Sequence, residues 1–334
     1  MSSTNDTAES RVAPIAVSIV VPTYRRDDLL RQCLAALEKQ RFDAGRYEIL
    51  IADDSGQPTT RSVVENFRRR CRAPMRYVAV GPTHGPAAAR NAGWRAARGR
   101  VIAFTDDDCQ PQPDWLREGL QTLDSTGAEA ASGRVVVPLP RCPTDYEKNF
   151  AGLESAEFVT ANCFCVRQAL ESIGGFDERF TRAWREDSDL QFALLERGFR
   201  IVRADSAIVV HPLRPGSWGI SLRQQNRSFF DALLYKKHRR LFRERIAPLP
   251  WSYYAIGAAI VGIAAGTAAG IEPLAGLSAL CWVFLTGRFL MRRLSGTSRS
   301  ISHITEMICT SVLIPPLSLY WNLRGAWRFR VFYG

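Results

Sequence analysis

The chain has 334 residues, 46% of them hydrophobic, which is enough for two folded units and far from the composition of a disordered protein. Its formal charge is +11, yet residues 1–235 hold 31 basic against 30 acidic side chains, while residues 236–334 hold 13 against 3. The excess charge marks one end, which argues against a nucleic-acid-binding body; eight cysteines without a Cys-x-x-Cys pair read as reduced thiols and not as a disulfide or zinc framework.

Met1–Val12 is polar and reads as a disordered N-terminus, not a signal peptide. Short apolar runs then alternate with helical patterns. Strands are expected at Ile15–Val21, Tyr47–Ala52, Met75–Val80 and Val101–Thr105. Between them lie helices carrying Leu29, Leu30, Cys33, Leu34 and Leu37, then Val63, Val64 and Phe67, then an Ala-rich Pro86–Arg98. This β-α-β-α order implies an α/β fold with a mostly parallel, Rossmann-like sheet and helices on both faces. Further on the pattern predicts a helix to about Thr126, an extended Ala128–Val137, a strand across Phe158–Val166 and a Gly174-Gly175-Phe176-Asp177 turn. A helix from near Glu186, a strand Phe199–Val210 ending at His211-Pro212, and one long helix over about Ser217–Arg245 follow.

Ligands of such sheets bind at the carboxyl ends of the strands. Three strands end there in polar residues: Pro22-Thr23-Tyr24, Asp53-Asp54-Ser55 and Asp106-Asp107-Asp108. Alternation places Asp106 and Asp108 on one side and Asp107 on the other, so that two carboxylates can offer hard oxygens to Mg²⁺ or Mn²⁺; the alternative is a solvated acidic turn. Asp53 and Asp54 can accept from a base N–H or a ribose hydroxyl, or form an Asx turn. Arg90 can face phosphate or base, or solvent. In Glu186-Asp187-Ser188-Asp189-Leu190, helical spacing pairs Glu186 with Asp189 and sends Asp187 elsewhere, where it can serve alone as a general base; acidic residues also favour any helix N-terminus.

Six motifs occur in an order similar to that of family 2 glycosyltransferases: Val17–Tyr24, Ile49–Ser55, Ala89–Gly93, Phe104–Asp108 with Pro113–Leu116, Gly174–Glu178 and Glu186–Leu190. The resemblance covers about residues 15–230. It implies a GT-A fold over residues 13–235 and inverting transfer of a sugar from a UDP- or GDP-linked donor, with a divalent cation. By that resemblance Pro22, Tyr24, Asp53, Asp54, Arg90, Asp106 and Asp107 belong to the nucleotide-sugar site. Asp108 is the main metal ligand with Asp106 beside it, His211 is a further metal or diphosphate contact, and Asp187 is the catalytic base. Glu186, Gln224 and Arg227 fall on the acceptor and diphosphate side. Gln224-Gln225-Asn226-Arg227-Ser228 departs from the QxxRW of processive synthases at Ser228, which argues against the alternative of a processive polysaccharide synthase. Intact Asp108 and Asp187 argue against a catalytically inactive scaffold.

Residues 236–250 form a basic juxtamembrane helix end. The 251–334 region is expected to be membrane-bound, with Trp251–Ile271 and Pro273–Met291 each long enough to cross a bilayer. Gly257, Gly262, Gly266 and Gly270 can let the two helices of this hairpin approach. Lys236, Lys237, Arg239, Arg240, Arg243 and Arg245 precede it and Arg288, Arg292, Arg293 and Arg299 follow, so positive-inside logic places both flanks and the catalytic domain in the cytoplasm, at the inner membrane. Ile304–Leu323 contains Pro315-Pro316 and leads into Arg324, Arg328 and Arg330, which predicts a broken third segment that dips in and returns. The implied acceptor is lipid-linked or a glycan, and the partner surface is lipid.

Overall fold

The computed structural model describes residues 14–332; the Met1–Val12 segment expected to be disordered lies outside the described residues. In chain order, β1 (Val17–Thr23), α1 (Asp27–Leu37), β2 (Tyr47–Asp53), α2 (Pro58–Arg68), β3 (Met75–Ala79), α3 (Pro86–Ala96) and β4 (Val101–Phe104) alternate as the periodicity predicts. Every residue of β1, β2 and β4 is buried, which is why these strands read as unbroken apolar runs and not as alternating ones. They pair in parallel, with Ile19 opposite both Ile49 and Ala103, and Ile51 opposite Tyr77.

β5 (Gln110–Pro111), α4 (Trp115–Thr126), β6 (Ala130–Val136), α5 (Asp145–Phe150), β7 (Cys163–Val166), α6 (Arg167–Ile173), α7 (Glu186–Glu196) and β8 (Ile201–Val210) follow. The open sheet has the order β3-β2-β1-β4-β7-β6-β8-β5, with helices on both faces. It is mixed, since β7 runs antiparallel to β4, β6 to β7 and β5 to β8. β7 is also shorter than the expected Phe158–Val166. The Asn162 side chain ends it, donating to the Arg134 and Ala207 carbonyls at 2.9 and 2.8 Å while accepting from Trp115 Nε1 at 2.8 Å.

Contacts group the chain into two units: residues 1–134, 160–181 and 197–210 in the first, residues 135–159, 182–196 and 211–334 in the second. The first holds most of the sheet. The second holds α5, α7, and the helices after β8: α8 (Ile220–Gln224), α9 (Asp231–Lys237), α10 (Arg239–Arg245), α11 (Trp251–Ala269), α12 (Glu272–Leu294) and α13 (Ile301–Phe329). The long helix expected over Ser217–Arg245 is instead α8, a 3-10 turn at Gln225–Phe230, α9 and α10. The last break falls at His238, whose backbone leaves the helical region (φ −129°, ψ 56°).

Among the described residues, α11, α12 and α13 are long and apolar enough to cross a membrane. α11 and α12 form a hairpin closed at Gly270 (φ 69°), where Gly266 lets the chains meet: a Cβ there would lie 2.7 Å from the Ala275 nitrogen. Val261, Leu277, Leu280, Val283 and Phe284 stand exposed on it, as lipid-facing residues do. The expected break in 304–323 does not occur. α13 runs unbroken through Pro315-Pro316, although the two rings remove the N–H groups that would bond the Ser311 and Val312 carbonyls. Packing offsets that loss: Ile314, Pro315 and Ser318 are buried, Ser318 Oγ donates to Gln225 Oε1, and Gly325 is pressed against the Phe229 backbone.

Candidate active site

In the first unit the carboxyl ends of β1, β2 and β4 carry the predicted polar residues. The triplet after β4 is sorted by partner, as strand alternation requires. Asp107 is buried; its Oδ2 accepts from Thr23 Oγ1 at 2.8 Å and its Oδ1 from Arg26 Nη1 at 3.2 Å. Burial, with Asp108 and Asp106 adding like charge, pushes Asp107 up to about 6 despite Arg26 and Thr23. Asp106 Oδ1 accepts from the buried Arg90 at 2.7 Å, so Arg90 faces a carboxylate and not solvent. The Asp108 side chain is buried, with Oδ2 3.7 Å from Arg26 Nη1. Tyr24 is exposed on the turn after β1, where Arg25 takes a left-handed backbone (φ 53°) and its guanidinium lies 5.2 Å from the Tyr24 ring. Pro22 sits within β1 opposite Ala52.

The two acids at the end of β2 hold their own loops. Asp53 is buried, its Oδ1 accepting from Ser55 N and Oγ at 2.8 and 2.6 Å and its Oδ2 from the Tyr77 hydroxyl at 2.9 Å. Burial and this bond push Tyr77 up to about 12. Asp54 meets His84 Nδ1 at 2.8 Å and accepts from Gly85 N at 2.9 Å. That glycine opens α3 at φ 112°, and a Cβ there would come 2.9 Å from the Thr181 carbonyl. Asp54 thus fixes the entry to the helix that carries Arg90.

The same helix explains two further motifs. Asn91 Nδ2 donates to the Phe176 carbonyl and to Glu178 Oε1, both at 2.8 Å, while Asn91 Oδ1 accepts from Trp94 Nε1 at 2.8 Å and Phe176 N at 3.0 Å. The Gly174–Glu178 turn is thereby tied to α3. Arg26, Tyr77 and Asn91 escaped sequence reasoning, since their importance lies in partners 81, 24 and 85 residues away.

In the second unit α7 begins with Glu186, buried, and Asp187, half-buried with its Oδ1 accepting from Ser188 N at 2.7 Å. Arg185 (φ 73°) donates from Nε to Asp231 at 2.6 Å, fastening this N-terminus to α9. Asp189, one turn on, is clamped by Lys237 Nζ at 2.6 Å and His238 Nε2 at 3.0 Å. His238 Nδ1 meets Glu196 at 2.8 Å. Both ring nitrogens face carboxylates; burial alone would lower the His238 pKa, but Asp189 and Glu196 raise it above its ordinary value. Arg227 lies 5.5 Å from the Trp184 ring, and burial lowers its pKa against the pull of Tyr146 and Glu186. Gln224 is half-buried at the end of α8. His211 is buried, its ring 4.8 Å from that of Phe150 in an edge-to-face contact. By unit, Pro22 to Asp108 belong to the first and Glu186, Asp187, His211, Gln224 and Arg227 to the second.

A model of glycosyl transferase family 2 matches residues 18–158, and the model of glycosyl transferase family group 2 matches residues 101–323, about two thirds of the chain. The chain belongs to glycosyl transferase family group 2. This glycosyltransferase is 27% identical over 220 residues to the glycosyltransferase AglE of Haloferax volcanii, covering 63% of this chain and 71% of that one. It is 34% identical over 224 residues to the validoxylamine A glucosyltransferase of Streptomyces hygroscopicus subsp. limoneus, covering 54% of this chain and 48% of that one, so it spans about half the length of that relative. Its fold is similar to that of the mannosyltransferase PcManGT from Pyrobaculum calidifontis, solved in complex with GDP-Man and Mn²⁺, with a TM-score of 0.60, 20% identity and coverage of 95% and 90% of the two chains. The glycosyltransferase thus has a GT-A-type fold with three long apolar helices at its C-terminal end that fit a membrane anchor.

Proposed function

We propose that the glycosyltransferase moves a sugar, with inversion, from a UDP- or GDP-linked donor to a hydroxyl of a membrane-proximal acceptor, lipid-linked or glycan, in cell-envelope or exopolysaccharide synthesis. The observation that carries this reading is the acid triplet at the end of buried β4, with Arg90 on Asp106 and Arg26 on Asp107. Its oxygen donors suit a hard cation, and burial, with like charge from Asp108 and Asp106 added, lifts Asp107 in a cluster whose negative charge a cation would relieve. Asp108 and Asp106 would hold Mn²⁺ or Mg²⁺, and His211 is the candidate further ligand. When bound, the cation supplies positive charge toward the diphosphate leaving group.

The remaining steps belong to side chains. Arg90 and Tyr24, with Pro22 and Asp54 shaping the strand ends, orient the donor. Asp107 and Asp53, whose oxygens are engaged by the chain, position the site from beneath. Asp187 removes the acceptor hydroxyl's proton as that oxygen attacks the anomeric carbon and the nucleoside diphosphate departs. Glu186, Arg227 and Gln224 serve the acceptor and diphosphate side. The base-bearing helix belongs to the unit of α11–α13, which supports an acceptor presented at the membrane. The basic flanks support an inner-membrane protein with its catalytic domain in the cytoplasm. The purified 334-residue chain in detergent, screened with UDP- and GDP-sugars for Mn²⁺-dependent diphosphate release, tests the reading; release without added cation at full rate, or none with any donor, overturns it.

A further inference from the structure

Arg26 has no counterpart among the residues that sequence reasoning selected. It stands on the turn after β1, and its Nη1 lies 3.2 Å from Asp107 Oδ1 and 3.7 Å from Asp108 Oδ2. Its side chain is 42% exposed while both acids are nearly closed to solvent, so one end of the guanidinium is anchored in the acid cluster and the other is open to the rim. The turn that carries it is unusual: Arg25, a non-glycine residue, holds a left-handed backbone, a strain of the kind found at binding sites. A fixed positive charge this close to Asp108 opposes any dication that Asp108 ligates. The same charge attracts any anion that arrives with the dication.

We propose that Arg26 couples cation and donor binding: it weakens divalent-cation binding by the empty protein and turns to a favourable contact once a nucleoside diphosphate is present. The inference rests on the reading of Asp108 as a metal ligand. Its logic is thermodynamic linkage: if the diphosphate relieves the repulsion between Arg26 and the cation, each ligand raises the affinity of the other by the same factor. The repulsive part has a definite size. A unit charge 3.7 Å from an oxygen that ligates a dication changes the dication's affinity by about three- to tenfold in water-like surroundings with salt.

The experiment measures Mn²⁺ binding by the full chain in detergent, by the loss of the free-ion electron paramagnetic resonance signal, with and without UDP or GDP, at about pH 8. Arg26→Gln and Arg26→Met remove the charge; Arg26→Lys keeps it. Both neutral variants are expected to bind Mn²⁺ alone about three- to tenfold more tightly than wild type, and to gain less from the nucleoside diphosphate, while Arg26→Lys follows wild type. Thermal melting within a few degrees of wild type qualifies each variant, and either neutral variant suffices. Unchanged or weaker Mn²⁺ binding by the neutral variants, in a protein where Asp108→Ala abolishes it, overturns the inference and leaves the metal reading standing. Full Mn²⁺ affinity in Asp108→Ala overturns the metal reading, and the inference with it.

Discussion

At the scale of single residues, neighbours in the sequence divide the work by what holds them. Asp187 and Asp189 are two positions apart on α7, yet Asp189 is buried under Lys237 and His238 while Asp187 remains half-buried. Asp187→Asn keeps the shape and the Ser188 contact but cannot take a proton. Transfer is expected to fall about 10²–10⁴-fold with the Mn²⁺-dependent affinity for nucleoside diphosphate unchanged. Steady-state turnover beside a binding titration checks it; turnover near wild type moves the base elsewhere. The sequence showed that Asp187 and Asp189 point apart, because helical spacing is a local rule. It could not show which groups hold Asp107 and Asp53, because their partners Thr23, Arg26 and Tyr77 are set by strand register and not by adjacency.

Among elements, α7 is held at both ends. Arg185 and Asp231 fix its first turn, and Lys237 and His238 hold Asp189 and Glu196 further along. His238 is raised above its unfolded value near 6.5, so its contribution to stability is fully present below that pH and is lost as pH rises through the folded value. Thermal scans across this window should show wild type losing stability with rising pH and His238→Gln showing a flatter profile, lower at the acid end by about 1–3 kcal/mol. Equal pH slopes would mean that the imidazole is neutral in the fold. The break at His238 was invisible in sequence, where Ser217–Arg245 shows steady helical pattern; a buried side chain bound to two carboxylates overrides that propensity. In α13 the override runs the other way. Pro315-Pro316 predicts a break, and burial against the Gln225–Phe230 turn keeps the helix whole. The strands β1, β2 and β4 were legible because buried parallel strands leave an unbroken apolar run, whereas the antiparallel half, with its shortened β7, left a weaker trace.

On the scale of the molecule, the second unit depends on a buried ion pair. Arg293 of α12 donates from Nη2 to Asp145 Oδ2 of α5 at 2.8 Å and from Nη1 to Thr310 and Ser311 of α13 at 2.6 and 3.1 Å. Arg293→Ala leaves Asp145 buried without this partner and is expected to cost about 3–5 kcal/mol, while the double change Arg293→Met with Asp145→Asn costs less than the single one. Chemical denaturation in one detergent reads both, and a double change worse than the single would refute a role for the charge pair. The hydrophobic α11–α13 surface also predicts that protein in membranes resists alkaline carbonate washing; release into the wash would mean that these helices pack against protein and not lipid.

The division of the chain has a further consequence, which concerns the order in which the protein is made. Segments 135–159 and 182–196 join a unit completed only by α13, whose Phe329 carbonyl accepts from Lys236 Nζ at 2.8 Å. Chains emerge from the ribosome N-terminus first, and the early β-α-β-α segments can pair as they appear. The helix carrying Asp187 must wait for Asp231, Lys237 and His238, 46 to 49 positions beyond the residues they hold, and its unit is closed only by α13. On the Asp187 reading, a nascent chain would hold the strand-end acids early and gain its base-bearing half only once α9 and α10 have emerged, so that transfer waits for the later part of the chain.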